Sequence, residues 1–400
     1  MKILFIHNFY QSSAPSGEDI VFKNEVELLK KNGINVVTYE KYNDEIKEYG
    51  FFGKFTLPLK NIWSFETYRE LKLLIKREKP DIAHFHNLWY LISPSAYYAC
   101  KEEGIPVVQT LHNYRIFCTS GCLFRNNKIC EKCITGNKFK IINNSLKYKC
   151  YRNSRIYSLP IAFAEYFHWI KKTWTDKVDA YIALTEFSRN KFIEAGLPSD
   201  KIFVKPNFLP NPPEPNYSYQ NYACFIGRIS QEKGIDILIE AVKFLGNSKY
   251  KLKVVGDGKL RNHIKQKIRK EKINNIEFSG MRSNSEVITI LKNAKFLIFP
   301  SIAYENFPLV LIESFASGKP VVASRLGPLP ELIEDKRTGL FFEPGNSNDL
   351  SEKIKWMFEN DDLLIQMGKN ARTEFEEKYT AEKNFEIILK IYNQVISNAK

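Results

Sequence analysis

No apolar run in this sequence of 400 residues reaches the roughly 20 needed to cross a bilayer. A membrane protein spanning by helices is therefore excluded. The opening Met1-Lys-Ile-Leu-Phe-Ile-His-Asn8 has a four-residue apolar run and then turns polar. A signal peptide needs a longer apolar core, so this segment is expected to be a buried first strand. Low-complexity segments and short repeats are missing, which excludes fibrous, collagen-like and solenoid chains. Cysteine is sparse, at seven residues, too few for a disulfide scaffold. Without an export signal, those thiols imply a reducing, cytoplasmic setting and free or metal-bound sulfur. What is abundant is apolar and aromatic matter: 44% hydrophobic residues, 29 Phe and 21 Tyr, ample for more than one core.

Acid is in shorter supply than base. The chain holds 59 Lys and Arg against 45 Asp and Glu, a net charge of +14. Most of the excess, +10, lies in residues 1–210, and 111–160 alone has ten basic residues against the single acid Glu131. Such a patch attracts nucleic acid, anionic lipid or phosphorylated ligands.

The first half alternates short apolar runs with helical patterns. Strands are expected at Lys2–His7, Ile34–Tyr39, Asp81–His86, Ile105–His112 and Tyr181–Thr185. Phe22, Val26 and Leu29 mark a helix that stops at Gly33. This is the pattern of a parallel sheet covered on both faces. Residues 113–175 break it: basic, aromatic and rich in cysteine, they read as an insertion. Pro206-Asn-Phe-Leu-Pro-Asn-Pro-Pro-Glu-Pro215 then places five prolines in ten residues, which neither helix nor central strand tolerates. The alternation restarts at Ala223. The expected architecture is α/β, two tandem Rossmann-like doubly wound domains facing a cleft. The first is residues 1–205, the linker 206–219, the second 220–380. A last helix, 381–400, crosses back to the first, with Phe385, Ile388, Leu389, Tyr392 and Ile396 as its buried stripe.

In open α/β sheets, ligands sit outside the carboxyl ends of the strands. Four turns there carry chemistry. Phe225-Ile-Gly-Arg-Ile-Ser-Gln-Glu-Lys-Gly234 puts Arg228 and Lys233 after a strand and Gly227, a fork and a point charge suited to diphosphate. Val254-Val-Gly-Asp-Gly258 and Phe278-Ser-Gly280 are two more glycine turns. Pro300-Ser-Ile-Ala-Tyr-Glu-Asn-Phe-Pro-Leu-Val-Leu-Ile-Glu-Ser314 carries Glu305 before a helix and Glu313 inside it. The first-turn amides of Leu309 and Val310 form an anion site between the two carboxylates. Each glutamate alone reads better as a surface residue favoured by the helix dipole than as a ligand-binding one. Together the turns suit a sugar–diphosphate–ribose ligand.

In this combination the chain resembles the glycosyltransferases of family 4, with the two-Rossmann (GT-B) fold. Glu305 and Glu313 match the family's E-x7-E signature, and Gly227, Arg228 and Lys233 its G-R…K signature. The resemblance implies a hexosyltransferase-type enzyme (EC 2.4). It would transfer sugar with retention from a nucleotide sugar to a glycan or lipid-linked acceptor, in surface polysaccharide or glycolipid synthesis, with no cofactor needed for catalysis. A UDP-sugar is expected in preference to a GDP-sugar. By the same resemblance, Arg228 and Lys233 neutralise the leaving diphosphate, Glu305 holds the donor sugar, and Glu313 the ribose. Met281 lies beside the base, His112 approaches the reactive centre, and Gly17 nears the diphosphate. Gly256, Asp257, Gly280, Asn306, Phe307, Leu309 and Val310 complete the donor site. Two departures stand out: Asn306-Phe307-Pro308 where the family often has Gly-Phe-Gly, and Glu18 where it often has a second glycine.

Three further expectations concern the first half. His84 and His86 share a strand face, one of them buried and hydrogen-bonded, and His7 faces either a ligand or a strand end. Cys118, Cys130, Cys133 and Cys150, with Cys130 and Cys133 in a C-x2-C knuckle, suit a structural zinc as well as they suit reduced thiols. Phe51–Phe65 and Ala162–Trp174 mix aromatics with lysines as interfacial helices do, which suggests peripheral contact with an anionic membrane, although core packing explains either stretch alone. A nucleic-acid partner is not expected, since no known module accompanies the basic charge. The competing readings are a nucleotide-sugar epimerase and a catalytically inactive nucleotide-sugar binder of the same fold.

Overall fold

The computed structural model describes residues 1–10, 16–246 and 249–399, without the side chains of 51–55. The aromatic side chains of Phe51, Phe52 and Phe55 lie outside what is described.

Parallel strands buried on both faces must be nearly continuous in apolar residues. The first strand, β1 (Lys2–Phe9), shows this, with every residue from Ile3 to Phe9 buried. It pairs in parallel with β2 (Asn35–Tyr42) and β3 (Ile82–Phe85). Next come β4 (Val107–Thr110), a two-residue hairpin β5 (Phe124–Arg125) and β6 (Lys128–Ile129), β7 (Ala180–Ala183) and β8 (Ile202–Val204). The sheet order is β2-β1-β3-β4-β7-β8. Strand β8 has only three residues and follows a short 3-10 turn, so its periodicity is too brief to read from sequence.

The chain forms two units. The first is Met1–Leu123, Cys130–Asn207 and Asn384–Lys400; the second is Phe124–Ile129 and Phe208–Lys383. No regular helix or strand occupies 205–221. The second unit has β9 (Tyr222–Ile226), β10 (Lys251–Val255), β11 (Ile276–Gly280), β12 (Leu297–Phe299), β13 (Val321–Ser324) and β14 (Gly339–Phe342), all parallel, in the order β11-β10-β9-β12-β13-β14. That is the doubly wound Rossmann order, whose direction of winding reverses between β9 and β12. In the first sheet the reversal falls between β1 and β3.

The insertion folds as the hairpin, the helices Phe139–Tyr148 and Arg155–Ile170, and a short turn of helix at Thr173–Asp176. The last helix, Ala381–Ala399, buries Asn384, Ile388, Ile391, Tyr392 and Val395. The stripe is rotated from the expected one: Phe385, Leu389 and Ile396 are only partly buried, at the edge of the core with Ile3, Phe5 and Phe22. Hydrophobic spacing alone could not choose between two adjacent apolar stripes. Tyr392, common to both stripes, places its hydroxyl 2.6 Å from His84 Nδ1 inside the first unit.

Candidate active site

The winding reversal of the second sheet brings the loops after β9 and β12 side by side. Lys233, in the first loop, donates to both carboxylate oxygens of Glu305, in the second, at 2.7 and 2.9 Å. Ser301 Oγ also donates to Glu305 Oε1, at 2.8 Å. The sequence reading missed Ser301; its signal was its place right after the strand end and Pro300. Arg228 is largely exposed, with Nε 3.5 Å from Glu232.

Glycine sets the close approach of these loops. A Cβ at Gly234 would lie 1.8 Å from the Pro300 carbonyl oxygen, and one at Gly256 would lie 2.0 Å from that of Gly227. Both glycines have positive φ, +71° and +132°. Side chains at either position would force the β9, β10 and β12 loops apart. Asp257 is engaged locally: one oxygen accepts the Gly258 amide at 2.7 Å, the other faces Arg261 at 2.8 Å. Gly280 ends β11 with φ +71°, and Met281 after it is 68% exposed, free to meet a planar ligand.

The helix Leu309–Ala316 starts at Pro308 with no side-chain cap. The amides of Leu309 and Val310, in its first turn, have no intrahelical acceptor. Beside it Asn306 Oδ1 is buried without a hydrogen-bond partner among the described residues, and Phe307 is packed against Tyr379. Glu313 has no charged partner among the described residues, and burial pushes its carboxyl up to about 7. A half-buried acid without a cation is poised to accept hydroxyl donors. The carboxyl ends of this sheet therefore gather a paired Lys–Glu, free amides and an unpaired carboxyl.

The first sheet gathers a second cluster. His7 Nε2 is 2.8 Å from Asp19 Oδ1, and Asp19 also closes a capping box with Ser16. His7 is fully buried. His84 lies between Tyr392 and Thr110, and His86 Nδ1 is 2.9 Å from His112 Nε2. Burial holds His84 and His112 well below the usual imidazole range. Glu25 faces His86 at 3.4 Å and Lys205 at 2.5 Å. Against the effect of burial, Lys205 holds the Glu25 carboxyl well below its ordinary value. This pair joins residues 180 positions apart, and sequence spacing carried no signal for it. Gly17 opens the helix Gly17–Lys31, where a Cβ would meet nothing within 4 Å.

Among the described residues, the set of three metal-competent side chains whose ligand atoms all lie within 4.8 Å of one another is Glu25, His84 and His86. Lys205 already neutralises that glutamate, which disfavours a further cation. Of the thiols, Cys133 accepts from Asn144 Nδ2 at 3.6 Å and feels Cys118 and Cys150, and Cys118 Sγ is 3.2 Å from Ser120 Oγ. Burial pushes Cys118 up to about 11 and Cys133 to about 12. Cys130 follows the hairpin, its amide bonded to the Leu123 carbonyl.

Comparison with known proteins bears on both sheets. The family model for glycosyl transferases group 1 matches residues 211–374, and that for Glycosyltransferase Family 4 matches 17–211. An uncharacterized glycosyltransferase of Methanocaldococcus jannaschii is 29% identical over 401 residues, 99% of each chain. The O-antigen chain mannosyltransferase C of Escherichia coli is 24% identical over 180 residues, 44% of this chain and 48% of that protein. Among solved structures, HepE of Anabaena in complex with UDP superposes with a TM-score of 0.64 at 18% identity, over 98% of this chain and all of the other.

Proposed function

Because the chain belongs to the group 1 glycosyltransferases, with a family 4 glycosyltransferase half ahead of that module, we propose that it moves a hexose from a nucleotide sugar to a glycan or lipid-linked acceptor. The enzyme class, a glycosyltransferase of the GT-B type, is the premise; donor, acceptor and stereochemistry are the proposal. The donor is a UDP-sugar rather than a GDP-sugar, a reading supported by the UDP held in the Anabaena structure. The setting is surface polysaccharide or glycolipid synthesis, in keeping with the O-antigen relative.

The observation that carries the reading is the Lys233–Glu305 pair with Glu313 left unpaired eight residues on. In the proposed reaction the acceptor oxygen bonds to the anomeric carbon on the face from which the diphosphate leaves. The electron pair of the breaking bond departs with the diphosphate. The acceptor proton passes to a departing phosphate oxygen, so no side-chain base is required. Charge then builds on the phosphate, where Arg228, Lys233 and the Leu309 and Val310 amides would stabilise it. Glu305, released from Lys233, would hold sugar hydroxyls, and Glu313 the ribose. His112 would border the sugar, and no metal ion is needed. Incubation with UDP-glucose and oligosaccharide acceptors, read by proton NMR, tests this: the new linkage keeps the donor's anomeric coupling. An inverted product would refute retention.

The membrane proposal rests on two packed helices, Phe51–Ile62 and Arg155–Ile170. Leu59, Ile156, Phe163 and Ile170 are exposed there, by 65, 81, 42 and 61%, as is Phe65 at the start of the next helix, by 67%. Lys60, Arg155, Lys171 and Lys172 flank them. No helix among the described residues is long and apolar enough to cross a membrane. Attachment to the cytoplasmic face of an anionic bilayer would be peripheral, and acidic liposomes should sediment the protein at low salt. Equal sedimentation by neutral liposomes at high salt would rule out the electrostatic component. The four-cysteine zinc remains a separate proposal: metal analysis of purified protein should give one zinc per chain, and a trace only would dismiss it.

A further inference from the structure

The first unit holds a pair of buried, unpartnered polar groups that the proposed reaction does not use. Arg115 lies in the turn after β4, and its Nε and Nη1 are buried with no hydrogen-bond partner among the described residues. Its guanidinium is 5.6 Å from the Trp89 ring and 5.9 Å from the Tyr151 ring. Glu18, at the start of the helix after β1, has a buried Oε2 that likewise meets no partner among the described residues, while Asn113 donates to its Oε1 at 2.8 Å. Asn113 also accepts the Arg115 amide at 3.0 Å, so one side chain holds both charged residues in place. Arg115 is near enough to act on the Glu18 carboxyl, yet no ion pair joins them.

Buried charged groups are ordinarily satisfied, because leaving them without a partner is costly. Here a cation and an acid stand side by side, each with donor or acceptor capacity unspent. They lie beyond the carboxyl ends of β1 and β4, the side of such a sheet on which ligands bind. His112, Asn113 and Arg115 line one small cavity of about 40 Å³, so Arg115 and His112 share a space. The turn is built to present the arginine. Tyr114 bonds to the Gly121 carbonyl at 3.0 Å, and Gly121, with φ +76°, leaves Arg115 room: a Cβ there would be 3.4 Å from Nη2.

We infer that Arg115 and Glu18 form an acceptor subsite for a sugar carrying an anionic group, phosphate or carboxylate, next to a free hydroxyl. The guanidinium takes the anion, the glutamate the hydroxyl, and Trp89 and Tyr151 flank the guanidinium as an apolar wall. The inference rests on the transferase reading, since it assigns acceptor recognition to the first unit.

The test is calorimetric titration of the whole protein, with UDP saturating so that phosphate does not report on Lys233. The probes are glucose 1-phosphate, glucuronic acid, glucose and inorganic phosphate. The subsite predicts that the two anionic sugars bind at least tenfold more tightly than glucose. Arg115→Gln should erase that preference, and Lys233→Ala should keep it. Glu18→Gln should weaken the anionic sugars while sparing inorganic phosphate, which also shows that the fold is intact. Preference for phosphate alone would assign a phosphorylated acceptor, preference for carboxylate alone a uronic acid; either supports the subsite. Equal binding of glucose and the anionic sugars, or loss of the preference in Lys233→Ala rather than Arg115→Gln, would overturn it. Failure of UDP to bind would count against the transferase reading instead, and the Arg115 comparison without UDP would still decide the subsite.

Discussion

Lys233 and Glu305 neutralise each other through two hydrogen bonds of 2.7 and 2.9 Å across the winding reversal of the second sheet. The two residues to which the proposed reaction assigns opposite tasks, cation for phosphate and carboxylate for sugar, are thus partners before any ligand arrives. Each holds the other in position, and a donor would exchange one ion pair for two ligand contacts. The cost of desolvating either group is met by its partner.

That exchange makes the pair strongly non-additive. Lys233→Ala should lower kcat by about 100-fold, the scale for removing one preorganised group that stabilises transition-state charge. Glu305→Ala should cost a similar factor. The double variant should lose far less than the product of the two, because each single change leaves a charge unpaired. Steady-state kinetics on the four proteins checks this.

Glu313 makes stability depend on pH. Its folded pKa is raised to about 7 from an ordinary 4.5. A raised acid contributes stability that is fully present below 4.5 and lost as the pH climbs through 7. The loss amounts to about 3 kcal/mol. Glu18 and Glu165 shift in the same direction, so the comparison that isolates Glu313 is with Glu313→Gln. Urea unfolding at pH 5 and pH 8 should show a smaller drop in the variant. If the carboxylate binds ribose, nucleotide affinity should also rise over that interval.

The glycine contacts separate structural from permissive positions. Gly256→Ala or Gly234→Ala would drive a methyl group into a backbone oxygen at 2.0 or 1.8 Å. Either should lower Tm sharply and abolish nucleotide binding. Gly17→Ala has open space around it and should shift Tm by no more than a degree or two. Thermal melts distinguish the three.

Much of this was legible in the sequence because it is local. The strands of the second unit, its glycine turns and the E-x7-E spacing lie within short windows, and periodicity with turn chemistry exposes them. What was not legible is contact between distant segments. Nothing near Lys205 announces Glu25, and nothing near Tyr392 announces His84. Both are polar contacts inside a core, where the folded topology decides the partner. Ser301 and the rotated stripe of the last helix were lost for the same reason, and β8 for want of length.

The Glu25–Lys205 pair gives a prediction of its own. Lys205→Met leaves a buried carboxylate without its cation and should cost about 3–5 kcal/mol. Adding Glu25→Leu should recover much of that, since the uncompensated charge is then gone. Failure of the second change to rescue Tm would mean that Glu25 serves chiefly through His86.

The most direct test of the central claim is a thermal-shift series with UDP, GDP and ADP on the wild type and on Glu313→Ala. Binding to the folded state alone adds about 2.7 kcal/mol at a hundredfold excess over Kd. The account predicts a clear rise in Tm with UDP, little with GDP or ADP, and a much smaller UDP shift in Glu313→Ala. No shift with any nucleotide, or a UDP shift unchanged in Glu313→Ala, would contradict it.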